Sequence, residues 1–162
     1  MKKICILLAF CFAVVSVQAQ PTIKSVKIEE LEQLIAQSDT PLVINFWATF
    51  CGPCIKEMPY LSSITDSAAK TTPVKLVFVS LDMKEAYPDK VAGFLNRKKI
   101  PDTCLWLNET NADHFCPKVD VKWSGSIPAT LFVNNKTGYR HFMEQEISPE
   151  RFRKEIKQLL NR

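Results

Sequence analysis

Cys51 and Cys54, held two residues apart by Gly52-Pro53, are the pair in this chain whose types and spacing could do chemistry. Two thiols at this separation can open and close as a disulfide. They follow the apolar run Leu42–Ala48, whose Val43, Ile44, Phe46 and Trp47 are β-branched or aromatic and predict a strand. Met58, Leu61 and Ile64 follow at i, i+3 and i+6 and predict a helix. A cysteine between the two faces unpaired backbone N–H groups and the positive end of the helix dipole. Both favour thiolate, the nucleophilic form. Cys51 is then expected before the first turn, exposed to a partner, and Cys54 one turn in and partly buried. Pro53 lacks an N–H and has a preset φ, which suits a first helical turn.

Other uses of a CxxC pair set different demands. A structural zinc site needs two more ligands at short spacing. Here the other cysteines are Cys5, Cys11, Cys104 and Cys116, and the histidines are His114 and His141. Only His114 and Cys116 are close to one another, and no metal site is expected. A structural disulfide across so short a ring would restrict little chain entropy. A soft-metal carrier would use two thiolates, but no histidine lies near Cys51 and Met58 is the only nearby methionine. The peroxidatic pattern of Pro and Thr at fixed offsets before the cysteine is not present at Cys51.

The 162 residues suffice for one domain with a sizeable core, and 46% apolar with 23% charged is a globular balance. A net charge of +4, dispersed along the chain, does not suggest nucleic-acid binding. Arg97-Lys98-Lys99 falls at an expected helix end, where the dipole favours cations. Met1-Lys2-Lys3 followed by apolar residues 4–17 and the small-residue site Val17-Gln18-Ala19 reads as a signal peptide over 1–19. The run is short of the roughly 20 residues of a membrane span, although an uncleaved anchor is the alternative. Phe10 before Cys11 is too bulky for a lipoprotein cleavage site. Export would remove Cys5 and Cys11 and place the other four cysteines where disulfides persist.

The expected elements of the domain over 20–162 are an extended lead-in (20–27), a helix (28–37), the strand 42–48 and the CxxC helix (52–69), kinked at Pro59. A strand follows at 74–81, then a helix (88–98), a strand (103–107) and a partial helix (111–119). Asn134–Gly138 is turn chemistry joining strands 129–134 and 139–145 as a hairpin. Ser148 and Pro149 start a last helix with Phe152, Ile156, Leu159 and Leu160 inward. Alternation followed by a hairpin implies an α/β chain with a mixed sheet flanked by helices.

Phe46-Trp47-Ala48-Thr49-Phe50-Cys51-Gly52-Pro53-Cys54 resembles the active-site signature of the thioredoxin superfamily. The continuation Cys54-Ile55-Lys56-Glu57-Met58-Pro59 resembles the exported TlpA/ResA-type thiol–disulfide oxidoreductases. Ile127-Pro128 before a strand resembles the cis-proline loop of that fold, and residues 88–121 resemble an insertion before it. The resemblance implies Cys51 as attacking and Cys54 as resolving cysteine, with no cofactor beyond the redox disulfide. It implies a substrate-binding set of Trp47, Gly52, Pro53, Ile127 and Pro128, with Ile127 pairing with the substrate backbone like an added strand; Trp47 would pack beneath the site, and plain core packing is its alternative. Gly52-Pro53 matches the reducing thioredoxins, with a potential on the order of −270 mV. Asn45 occupies the place of their buried acid and cannot titrate. Glu57 reads first as a solvated helix residue or dipole partner, and second as a proton-handling acid. Cys104 and Cys116 read as buried thiols, with a structural disulfide as the alternative. The implied activity is reduction of disulfides in exported, periplasmic proteins, with a membrane thiol–disulfide protein returning electrons. Disulfide oxidation or isomerisation is the alternative direction.

Overall fold

In the computed structural model, residues 23–100 and 103–160 are described. The proposed signal peptide, with Cys5 and Cys11, lies outside them. The apolar run after Pro41 forms β2 (Leu42–Trp47), every residue of which is buried. A strand of this composition needs a covered face on both sides. Its neighbours in the sheet are β3 (Lys75–Ser80), parallel to it, and β5 (Ala129–Asn134), antiparallel. β4 (Thr103–Leu107) adds to β3, and β1 (Lys24–Val26) closes that edge against β4, both parallel; β6 (Tyr139–Met143) forms the other edge against β5, antiparallel. The order β1-β4-β3-β2-β5-β6 is the expected mixed sheet. β1 occupies part of the extended lead-in: three residues carry too little pattern to mark a strand, and pairing with β4 makes it one.

Alternation along β2 sends Val43 and Trp47 to one face and Ile44 and Phe46 to the other. The first face is covered by α2 (Gly52–Ala69), α3 (Asp89–Lys98) and α5 (Pro149–Leu160), through Leu61, Phe94 and Phe152. The second is covered by α1 (Ile28–Gln37) and α4 (Ala112–Val119), through Leu31 and Phe115. The segment read as one insertion is thus divided between two layers, and its strand, β4, is an inner member of the sheet. α2 continues through Pro59, and α4 includes Pro117 as a full helix. In both, packing of the apolar face outweighs the N–H that proline lacks.

Candidate active site

The strand-to-helix junction after β2 places the two cysteines. The Trp47 carbonyl accepts the Leu81 N–H at 2.8 Å, which carries the β2–β3 pairing past the strand ends. The Ala48 carbonyl accepts the Cys51 N–H at 3.0 Å and closes a tight turn. Cys51 is then the N-cap of α2, and its Sγ accepts the Cys54 N–H at 3.3 Å. The sulfur does what a serine or aspartate oxygen does at other helix starts. Pro53 sits in the first turn as expected. Cys51 and Cys54 form a disulfide, with their Cα atoms 5.3 Å apart. Cys51 retains 8% exposure and Cys54 none. Attack from outside therefore reaches Cys51 alone. Both cysteines are more enclosed than expected, because Trp47, Met58 and the α2 face pack around them.

Glu57 departs most from expectation. It is a fully buried residue, not a solvated one. Its Oε1 accepts the Asn45 Nδ2–H at 2.8 Å and its Oε2 accepts the Ile147 N–H at 3.1 Å. Burial pushes its carboxyl up to about 7, against the two hydrogen bonds that favour the charged form. Asn45 also donates to Thr130 Oγ1 at 3.0 Å, so β2, β5 and α2 meet at one buried polar cluster. The Tyr60 hydroxyl donates to the Ile147 carbonyl at 2.7 Å, and α2 thereby holds both backbone polar groups of Ile147. Asn45 cannot titrate, but it orients a group that can. Glu57 follows Cys54 by three residues, on the same side of the helix.

Trp47, grouped with the substrate-binding residues and expected beneath the site or in the core, is fully buried and packs on Phe94 at 5.3 Å between ring centroids. It supports the dithiol from beneath and has no surface to offer a substrate. Its indole N–H faces the Cys104 sulfur too loosely for a good hydrogen bond. Gly52 and Pro53 are exposed beside the disulfide. The Ile127–Pro128 peptide is cis, with Ile127 half-exposed and Pro128 buried at the start of β5. Cys104 and Cys116 are buried free thiols. Desolvation pushes Cys104 up to about 12, and desolvation with the nearby Glu144 and Asp113 pushes Cys116 up to about 11. Among the described residues, no three His, Cys, Asp or Glu side chains gather into a metal site.

Two features of the site were missed by sequence reasoning. Asp82, just beyond β3, is 4% exposed, and its carboxylate accepts the Thr49 N–H at 3.0 and 3.1 Å and the Thr49 hydroxyl at 2.5 Å. It also accepts the Ser80 hydroxyl at 2.9 Å. The turn leading to Cys51 is therefore tied to the end of β3. A single acid closing an apolar strand is the signal that could have marked it. The second is an exposed apolar pair, Phe50 and Met83, which are 71% and 74% exposed. With Asp82, Glu85, Ala86 and Lys90 they line a cleft of about 470 Å³ beside the residue that precedes Cys51.

The thioredoxin family profile matches residues 22–123, from β1 to the loop before the cis-proline. This chain belongs to the thioredoxin family. It is 34% identical to thioredoxin of Haemophilus influenzae over 105 residues, 65% of this chain and 85% of that protein. It is 41% identical to the thiol-disulfide oxidoreductase ResA of Oceanobacillus iheyensis over 66 residues, 38% of this chain and 34% of that protein. Several of the curated relatives are spanned for only about half their length. Among solved structures, the thioredoxin-related protein from Neisseria meningitidis serogroup B superposes with a TM-score of 0.63 at 27% identity. That match covers 76% of this chain and 87% of the other. The protein is a thiol–disulfide oxidoreductase of thioredoxin fold whose redox pair is the Cys51–Cys54 disulfide. No helix among the described residues is long and apolar enough to cross a membrane.

Proposed function

We propose that this thioredoxin-family protein is exported and reduces disulfides in other extracytoplasmic proteins. In the dithiol form, the Cys51 thiolate attacks one sulfur of a substrate disulfide; that S–S bond breaks, and the first substrate sulfur leaves as thiolate. Cys54 loses its proton and attacks Cys51 of the mixed disulfide. The second substrate thiolate leaves, and the Cys51–Cys54 bond forms. Two electrons have passed to the substrate, and a membrane thiol–disulfide protein returns them. The observation that carries this reading is the asymmetry of the pair: Cys51 caps α2 with some exposure, and Cys54 is enclosed behind it.

Glu57 is the proton acceptor for Cys54 in this scheme. Its raised carboxyl, near 7, is partly ionised at neutral pH and so can take a proton and later release it. Gly52-Pro53 supports the reducing direction through its likeness to reducing thioredoxins, and the leader at 1–19 supports export.

The test is the reduction potential of the pair, equilibrated against glutathione or dithiothreitol. A value near or below about −250 mV agrees with a reductant. A value of about −120 to −180 mV assigns the protein to disulfide formation or isomerisation instead.

A further inference from the structure

Ile127, the residue expected to pair with substrate, is preceded by a loop that one carboxylate organises. Met143, at the end of β6, pairs with Thr130 of β5, so Glu144 emerges beside the segment that leads into β5. Its carboxylate accepts the Ser124 N–H at 3.1 Å through both oxygens. Its Oε1 also accepts the Ser124 hydroxyl at 2.5 Å and the Ser126 N–H at 2.9 Å. Gly125, between the two serines, has φ 95°, a conformation that side-chain-bearing residues rarely adopt. A Cβ there would meet only ordinary contacts, with Cys116 Sγ at 3.6 Å and Ala112 Cβ at 3.7 Å. The demand for glycine thus comes from the turn itself. Successive N–H groups converging on one anion form a nest, here filled by the protein's own carboxylate.

The other side of the loop is held too. The Ser126 carbonyl accepts the Trp123 indole N–H at 2.9 Å. Trp123 is buried against Phe46 at 4.5 Å, with Phe115 and Phe142 at 5.7 and 5.8 Å. Ser126 therefore has its N–H fixed by Glu144 and its carbonyl fixed by the core. The next backbone groups along the chain are those of Ile127.

We infer that Glu144 is a positioning residue for substrate: its carboxylate holds residues 124–126 so that the backbone at Ile127 is presented in strand geometry to a disulfide-bearing polypeptide. This rests on the proposed reduction of protein disulfides. Glu144 acts on docking and not on the dithiol, whose own supports are Asp82, Thr49 and the start of α2.

The experiment compares two oxidants of the reduced protein: insulin, whose cysteines are borne on polypeptide strands, and 5,5′-dithiobis(2-nitrobenzoate), which has no backbone to dock. Glu144→Ala is expected to lower the second-order rate constant with insulin about tenfold, the scale of losing one charge-assisted hydrogen bond. The rate with the small disulfide and the reduction potential stay at their wild-type values. Glu144→Gln keeps one carbonyl acceptor and falls between. Equal rates of wild type and Glu144→Ala with insulin overturn the inference, as does a parallel loss with both oxidants in both variants. Failure of the wild type itself on insulin, with normal reaction of the small disulfide, sinks the protein-disulfide reading and the inference with it.

Discussion

Glu57→Gln tests the central electrostatic feature of the site. The carboxyl is fully buried, and its ionisation moves from the ordinary 4.5 up to about 7 because burial penalises the charge. Between those values the native protein holds a proton that the unfolded chain has released, so stability must fall as pH rises through this window. At about 1.36 kcal/mol per pH unit, the fall is about 3 kcal/mol. It is absent below pH 4.5 and complete above 7. Glutamine removes the charge and keeps the shape. Its carbonyl can accept the Ile147 N–H, and its NH₂ can donate to Asn45 Oδ1, which has no partner in the wild type, once that amide turns over. The assay is guanidinium unfolding of the oxidised protein from pH 4.5 to 8.5, with Cys51 and Cys54 locked in their disulfide. The variant is expected to gain about 3 kcal/mol on the wild type across the window, and to resolve mixed disulfides more slowly. Parallel stability profiles for the two proteins would refute the buried-charge argument.

Cys54→Ser is expected to accumulate mixed disulfides through Cys51, seen by non-reducing electrophoresis, while Cys51→Ser forms none and turns over no substrate. Cys104 and Cys116, held well above neutral pH by burial, should stay unlabelled by N-ethylmaleimide at pH 7 until the protein is denatured, as read by peptide mass mapping. Asp82→Ala removes every acceptor that ties Thr49 to β3, and its unfolding free energy should fall by about 2 kcal/mol, since part-buried donors lose a charged partner. Phe132→Ala, at a fully buried position against Phe152 (5.8 Å), should cost about 3–5 kcal/mol in the same measurement.

Local pattern carried much of this protein. The CxxC pair, the strand before it and the helix after it are neighbours in the chain, and their chemistry depends on geometry that a strand-to-helix junction itself imposes. α1, β4 and β5 have the bounds expected from apolar periodicity and end signals, and α5 starts at the expected Pro149, because each buries a face whose spacing is written in consecutive residues. Ile127-Pro128 was legible only through its likeness to a known loop.

Tertiary structure decided what depends on distant partners. Three residues at 24–26 become a strand because β4 lies beside them. Glu57 has the composition of a surface helix residue. Its burial follows from Asn45, Thr130 and Ile147 converging from β2, β5 and the loop before α5. Trp47 lies wholly in the core beneath the dithiol because α2 and α3 close over that end of β2. Asp82 orders the turn before Cys51 and Glu144 the loop before Ile127-Pro128, through bonds spanning 33 and 20 residues. Sequence alone determined which residues can do the redox chemistry, since thiol spacing is a local property. Only the folded chain decided which carboxylates surround that chemistry, because burial and hydrogen bonding are properties of the neighbours a side chain meets in space.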